Sequence, residues 1–288
     1  MTEKKSRKKR SKRQPRESQG KTGERQKIEP SSTSVNKFST HKKAEGLWLY
    51  GNHTVHAALA NPLRKIKQVL ATSEALSRLP EEIKHSAAVK NAVSVERAAI
   101  DTQLSGDAVH QGIAVQVSPL PMLNVTDVLN KLSDEKPALV VALDQVTDPH
   151  NVGAVLRSAA AFGVKALILT RHNAPEETGV LAKAASGALE NIPIIRVTNL
   201  KRTLKDFYSL GFWSVGLEAT ADTSIDSMQL PHRCVFVLGA EGKGMRQTVK
   251  ESCDFVARMP IAGPIQSLNV SNASAIALYE WRRQRRSQ

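Results

Sequence analysis

Residues 138–170 read ALVVALDQVTDPHNVGAVLRSAAAFGVKALILT, and this stretch decides the fold. It begins with the apolar run ALVVAL and ends with a second one, KALILT, and both have the length and composition of buried strands. Between them a helix is predicted over 151–162, with Asp148 as its N-cap and Gly163 as its C-terminal stop. A strand, a helix and a strand in this order predict a parallel βαβ unit.

The same alternation continues to the end of the chain and predicts an α/β domain over 138–288. Strands are expected at 138–143, 165–170, 192–197, 212–217, 234–239 and 255–261, and helices at 151–162, 177–188, 199–210, 245–251 and from about 270. A mostly parallel sheet of this kind binds its ligands in the loops beyond the carboxyl ends of the strands.

A smaller α/β module is predicted over 44–119. Its expected elements are a helix at 53–60, a strand at 66–72, helical segments at 74–79 and 95–104, and a strand at 112–119. The proline-flanked segment 120–137, with its own short helix from 125 to 132, is interpreted as a linker to the larger domain.

Basic residues are concentrated at the two ends of the chain. Of a formal net charge of +14 over 288 residues, the first 43 residues hold +11 and the last seven hold +4, so 44–281 sums to −1. The segment 1–43 has little to bury and is predicted to be a disordered basic tail. Two roles stay open for it: a solubilising tail, or an arm that binds nucleic-acid phosphates.

The composition excludes several classes of protein. The longest uncharged run, 259–279, is interrupted by proline and glycine, so no membrane span is expected. Cys234 and Cys253 are the only cysteines and form no CxxC pair, which argues against a disulfide framework and a zinc site; no metal is expected. Because the first 43 residues lack an apolar signal core, a cytoplasmic location is expected.

Three loops that follow strands carry candidate chemistry. In the first, DPHNVGAVLRSAAAFG, the helix at 151–162 places Arg157 opposite its apolar face and among small residues, which would let another backbone, a phosphate or a second subunit approach the guanidinium. In the second, LGAEGKGM, the glycine spacing over 239–244 is neither that of a dinucleotide-binding loop nor that of a P-loop. The third, IQSLNVSNASAIALYEW, supplies Ser267 and Asn269 before the last helix, as N-caps or as ligand-binding groups.

Together these three segments resemble the motifs of the SpoU, or TrmH, family of SPOUT RNA 2′-O-methyltransferases, in order and at fitting separations. The segments YGNHTVHAAL and HQGIAVQV in 44–119 also resemble the RNA-binding module of the subgroup that methylates a guanosine of 23S rRNA. The resemblance implies a trefoil knot in the domain over 138–288, S-adenosylmethionine as cofactor, 23S rRNA or an assembly particle as substrate, and a homodimer with sites at its interface.

The resemblance also implies site residues. The positions that match cofactor contacts are Gly239, Gly244, Met259, Ile261 and Leu268, and those that match catalytic or substrate positions are Asn151, Arg157, Glu241, Ser267 and Asn269. Transfer of an activated methyl group to a ribose 2′-hydroxyl needs in-line alignment and removal of one proton. Since a guanidinium resists deprotonation, Arg157 is expected to bind the target phosphate and stabilise the developing alkoxide.

Two alternatives remain at this point. A tRNA guanosine 2′-O-methyltransferase would share the larger domain, although the module over 44–119 counts against it. A non-catalytic RNA-binding or ribosome-assembly protein could keep the same fold, although the polar residues of the three loops count against it.

Overall fold

A computed structural model describes residues 46–104, 106–131 and 136–286. The predicted tail over 1–43 and part of the predicted linker lie outside these residues. The strands are β1 Leu47–Tyr50, β2 Ile66–Ala71, β3 Val93–Ser94, β4 Ile113–Val117, β5 Ala138–Asp144, β6 Ala166–Thr170, β7 Ile194–Val197, β8 Trp213–Leu217, β9 Arg233–Gly239 and β10 Phe255–Ala257. The helices are α1 Asn52–Ala60, α2 Ser73–Ser77, α3 Glu81–Lys84, α4 Ala87–Lys90, α5 Arg97–Asp101, α6 Val125–Leu129, α7 Pro149–Phe162, α8 Gly179–Ala185, α9 Leu200–Tyr208, α10 Gln247–Lys250 and α11 Val270–Arg286.

The larger sheet has the strand order β10-β8-β9-β5-β6-β7, and all of its pairs are parallel. Its central strand β5 is buried along its whole length, as its unbroken apolar run predicts for a sheet with helices on both faces. The register pairs Leu139 with Cys234 and Asp144 with Gly239, so β5 and β9 end side by side. The predicted α/β class with a parallel sheet is confirmed; the trefoil knot stays a prediction.

The smaller sheet has the order β1-β4-β2-β3 and is mixed, because β4 runs antiparallel to both of its neighbours whereas β2 and β3 are parallel. Two of its strands were not expected from the sequence: β1, which pairs with β4 from Leu47 opposite Val117, and the two-residue β3. The short helices α3 and α4 between β2 and β3 were not expected either. The described residues all belong to one compact unit, so the two sheets are parts of a single folded body.

Two elements of the larger domain end three or four residues before the predicted position. The helix expected over 177–188 ends at Ala185, because Ser186 and Gly187 take left-handed backbone with φ of 51° and 91°. The strand expected over 255–261 ends at Ala257, after which the chain leaves β8.

Helix α7 begins and ends as its sequence predicts. Asp148 caps it by accepting a hydrogen bond from the His150 amide at 2.9 Å, and Gly163 closes it with φ of 73°. Of the small residues around Arg157, Gly153 admits another backbone: α8 packs directly against it, and a Cβ there would lie 2.6 Å from the Leu181 carbonyl oxygen.

Candidate active site

A cavity of about 1010 Å³ lies at the carboxyl ends of β8 and β9, where the chain between β10 and α11 covers it. This is the edge of a parallel sheet at which ligands bind. Eight of the sequence-predicted site residues line it: Gly239, Glu241, Gly244, Met259, Ile261, Ser267, Leu268 and Asn269. The structure therefore brings together all the residues predicted for the cofactor and three of those predicted for catalysis.

The glycine turn at 239–244 folds back on itself at the floor of this cavity. The Gly244 amide donates to the Ala240 carbonyl over 2.8 Å, and Gly242 and Gly244 have φ of 74° and 65°. A Cβ on Gly239 would lie 2.0 Å from the Gly244 carbonyl carbon. The position excludes any side chain, since the returning backbone fills that space.

An ion pair between a buried carboxylate and an exposed arginine anchors the far end of this turn. The Asp144 carboxylate, fully buried at the end of β5, accepts the Arg246 amide at 2.9 Å and pairs with its guanidinium at 2.7 Å. The turn is thereby fixed to the central strand of the sheet. Neither residue is among the sequence-predicted site residues; the available signal is a lone carboxylate at the end of an otherwise apolar strand.

Three polar side chains from separate loops form a hydrogen-bonded cluster, here called the amide–carboxylate cluster: Asn151, Glu241 and Asn269. Glu241 Oε1 accepts from Asn151 Nδ2 at 2.8 Å and from Asn269 Nδ2 at 2.5 Å. Asn269 Nδ2 also donates to Asn151 Oδ1 at 2.9 Å. The cluster joins the first turn of α7 to the glycine turn and to the start of α11.

Asn269 is held in place by the helix that follows it. Its Oδ1 accepts from the Ser271 amide at 2.9 Å and from the Ser271 hydroxyl at 2.6 Å, which caps the first turn of α11. Of the two residues that the sequence offers as this cap, Asn269 therefore takes the role, while Ser267 lines the cavity. One side chain both caps the start of a helix and faces the cavity.

Arg157 does not join the other predicted residues within one chain. It lies six positions after Asn151 on α7, so it is about 9 Å further along the helix axis and points about 120° away. Its side chain is exposed, does not line the cavity, and makes no hydrogen bond or ion pair with the rest of the described chain. The catalytic role of Arg157 stays a prediction, as does the homodimer at whose interface the site is expected.

The cavity carries more negative than positive charge. Two carboxylates, Glu218 and Glu241, line it. The guanidinium of Arg258 also lines it but donates to the backbone carbonyls of Ala221 and Asp222. An acidic cavity with apolar walls suits a ligand that has a cationic centre and a flat apolar part.

The cysteines are unsuited to nucleophilic chemistry. Burial raises the pKa of the Cys253 thiol to about 12, and burial raises that of Cys234 further still. Both groups are therefore protonated at neutral pH, and the thiolate is the reactive form. Among the described residues no group of three or more His, Cys, Asp or Glu side chains is placed to hold a metal ion.

Comparison with known proteins identifies the family. The model described as the SpoU rRNA Methylase family matches 138–279, and one described as RNA 2′-O ribose methyltransferase substrate binding matches 48–123. The 23S rRNA (guanosine-2′-O-)-methyltransferase RlmB of Pseudomonas putida is 41% identical over 243 residues, which cover 82% of this chain and 96% of that protein. The RlmB of Coxiella burnetii is 41% identical over 240 residues, with coverage of 82% and 95%. The chain belongs to the SpoU rRNA methylase family.

Solved structures of SpoU enzymes share this fold. The SpoU methyltransferase AviRb from Streptomyces viridochromogenes, solved with AdoMet, matches with a TM-score of 0.69 at 20% identity over 84% of this chain and 91% of that one. An AdoMet-bound rRNA methyltransferase from Sinorhizobium meliloti matches with a TM-score of 0.65 at 23% identity, covering 83% and 87%. The predicted family and the predicted class, an RNA methyltransferase, are both confirmed. In the described parts of the chain no helix is long and apolar enough to cross a membrane.

Proposed function

We propose that this SpoU family member transfers a methyl group from S-adenosylmethionine to the ribose 2′-hydroxyl of a guanosine in 23S rRNA, in the cytoplasm. The observation that carries the proposal is the amide–carboxylate cluster at the mouth of an acidic, apolar-walled cavity. The RlmB relatives, which share 41% identity over nearly their whole length, supply the substrate class.

The cavity fits the cofactor. Its unneutralised carboxylates suit a positively charged sulfonium, and Leu217, Met259, Ile261 and Leu268 supply apolar walls for an adenine ring. A ligand can approach the backbone of Gly244 closely, because this residue lines the cavity without a side chain, whereas the returning turn fills the space beside Gly239. When bound, the cofactor supplies a methyl group that is already activated for transfer.

Positioning is the main task of the protein groups in this reaction. The amide–carboxylate cluster offers amide donors and a carboxylate acceptor that can orient a ribose hydroxyl at the cavity mouth. The cation that binds the target phosphate and stabilises the developing alkoxide is Arg157, as the sequence predicts. Because Arg157 points away from its own cavity, it reaches a site only across the interface of a homodimer.

Exposed apolar residues beside Arg157 support the homodimer. On α11, Ile276 and Tyr279 are 45% and 55% exposed, and the Tyr279 ring packs edge-on against Phe162 of α7 at a centroid distance of 6.3 Å. Ala160 and Ala161 next to Arg157 are exposed as well. Exposed apolar residues on two packed helices, two of them within about one turn of Arg157, suit a second copy of the chain.

Mixing two inactive variants tests the shared site. Arg157→Ala and Asn269→Ala are each expected to abolish most activity alone. If Arg157 acts across the interface, a mixed dimer has one cavity with both groups intact, so co-refolded variants regain activity in methyl-transfer assays. A mixture as inactive as its parents would contradict the shared site.

The substrate is tested with radiolabelled S-adenosylmethionine and separate pools of 23S rRNA, 16S rRNA and tRNA. We expect label in 23S rRNA, in an alkali-resistant dinucleotide that contains guanosine. Label in tRNA instead would support the tRNA methyltransferase alternative. Cofactor binding without any labelled RNA, naked or in assembly particles, would support the non-catalytic alternative.

A further inference from the structure

Glu218 is a cavity residue to which the function proposed above assigns only a share of the negative charge and no contact of its own. It is the first residue after β8, where its amide donates to the Ala257 carbonyl at 3.0 Å and fixes its backbone to the end of β10. Its half-buried side chain lines the cavity. The carboxylate lies against the glycine turn: a Cβ on Gly244 would be 3.3 Å and 3.8 Å from its two oxygens.

The Glu218 carboxylate has no hydrogen-bond or ion-pair partner among the described residues. Neither a side chain nor a backbone amide among residues 46–104, 106–131 and 136–286 hydrogen-bonds to it, and the Arg258 guanidinium donates to backbone carbonyls instead. A partly desolvated carboxylate gains free energy from any donor that reaches it. The structure thus holds two free acceptor oxygens inside the cavity.

The topology separates Glu218 from Asn151 of the cluster by one strand, β9. Strands β8 and β5 flank β9, and strand spacing puts their ends about 10 Å apart. Glu218 follows β8, whereas Asn151 of the amide–carboxylate cluster belongs to the helix after β5. A ligand with its methyl group at the cluster therefore extends its nucleoside part toward Glu218.

We propose that Glu218 binds the ribose of the cofactor by accepting hydrogen bonds from its 2′- and 3′-hydroxyls; this inference rests on the proposed function. A cis-diol presents two O–H donors side by side, and a carboxylate presents two acceptor oxygens in one plane. Glu218 then selects a ribonucleoside cofactor, and the glycine at 244 leaves room for the sugar beside it.

The test measures binding of S-adenosylhomocysteine and of its 3′-deoxy analogue to the full-length protein by isothermal titration calorimetry. In the wild type the analogue is expected to bind at least about tenfold more weakly, because a charge-assisted hydrogen bond is lost. Glu218→Gln is expected to lower the affinity for S-adenosylhomocysteine by about 10- to 100-fold and the affinity for the analogue by much less. Glu176→Gln, which removes one exposed charge outside the cavity, controls for net charge and is expected to change neither.

Three results would overturn the proposal. Unchanged binding of S-adenosylhomocysteine by Glu218→Gln would show that the carboxylate does not contact the ligand. Equal losses of affinity for both ligands would show that the Glu218 carboxylate contacts another group of the ligand, such as its α-ammonium, and not the ribose. Failure of the wild type to bind either ligand would reject the cofactor itself and hence the proposed function, which separates the two failures. Circular dichroism checks that each variant is folded.

Discussion

The Glu241 carboxylate is the acceptor on which the amide–carboxylate cluster depends, since both asparagines donate to the same oxygen. Glu241→Ala should therefore lower kcat about 10²-fold, because two charge-assisted hydrogen bonds are lost and both amides are released. Glu241→Gln keeps an acceptor oxygen and should retain more activity. Since Glu241 is exposed, the free energy of unfolding of both variants should lie within about 0.5 kcal/mol of the wild-type value.

Steady-state methyl transfer and denaturant unfolding on the same preparations measure these effects. Cofactor affinity is expected to change less than kcat, because the cluster lies at the cavity mouth and acts on the substrate ribose. A Glu241→Ala variant with normal kcat would show that the cluster only joins three loops. If Glu241→Ala lowered kcat and stability to a similar extent, the cluster would have a structural role and not a catalytic one.

At the scale of the element, the glycine turn depends on the missing side chain at Gly239. Gly239→Ala should displace 240–244, because its Cβ would overlap the backbone of Gly244 and Met245. We expect a loss of about 1–3 kcal/mol in stability from overpacking and a loss of cofactor binding from the displaced turn. Isothermal titration calorimetry measures cofactor binding, and thermal unfolding measures the stability.

Gly242→Ala is the matched control for this turn. Nothing lies within 4 Å of a Cβ at Gly242, whose φ of 74° is its only constraint. Gly242→Ala should lower the stability by about 1 kcal/mol, because alanine disfavours left-handed backbone, and should leave cofactor binding nearly intact. If the two variants behaved alike, backbone strain rather than close approach would explain the need for glycine.

The elements differ in how far the sequence predicts them. The apolar runs of β5, β6 and β9 predict a parallel sheet, because a strand buried on both faces shows in its own composition. The topology rule then brings Asn151, Glu241 and Asn269 to one sheet edge, although 28 to 118 positions separate them in the chain. The four-residue strand β1 gave no such signal, since its pairing with β4 is set by residues far along the chain.

Side chains whose role depends on a distant partner were the hardest to predict. Asp144 and Glu218 both stand at strand ends as single acids, and only the folded chain shows that one is paired with Arg246 while the other is free in the cavity. Arg157 looks like a site residue on its helix, yet the geometry of one protomer leaves it outside the cavity. Its role depends on an assembly that no local pattern encodes.

At the scale of the whole molecule, a buried ion cluster joins the two sheets. Arg64, between α1 and β2, has a fully buried side chain that pairs with Glu190 at 2.6 Å and with Glu177 at 2.5 Å, both in the larger domain. It also donates to the Ser118 carbonyl at 3.0 Å, and Asn61 donates to Glu190 at 2.7 Å. Contacts of this kind hold the smaller module in a fixed position on the methyltransferase domain.

Removing Arg64 should therefore destabilise the whole molecule and release one part from the other. Arg64→Met leaves the Glu190 carboxylate, only 2% exposed, without its counter-charge, and we expect a loss of about 3–5 kcal/mol. Arg78→Met is the control, because Arg78 pairs with Glu74 at the surface, where the side chains are 72% and 58% exposed; it should cost about 0–1 kcal/mol. Urea unfolding followed by circular dichroism measures the stability of both variants, and a split into two transitions in Arg64→Met would mark independent unfolding of the two parts.

Equal urea midpoints for Arg64→Met and Arg78→Met would contradict this prediction. They would mean that other packing, such as the close contact of Gly179 of α8 with Trp48 and Tyr50, holds the parts together.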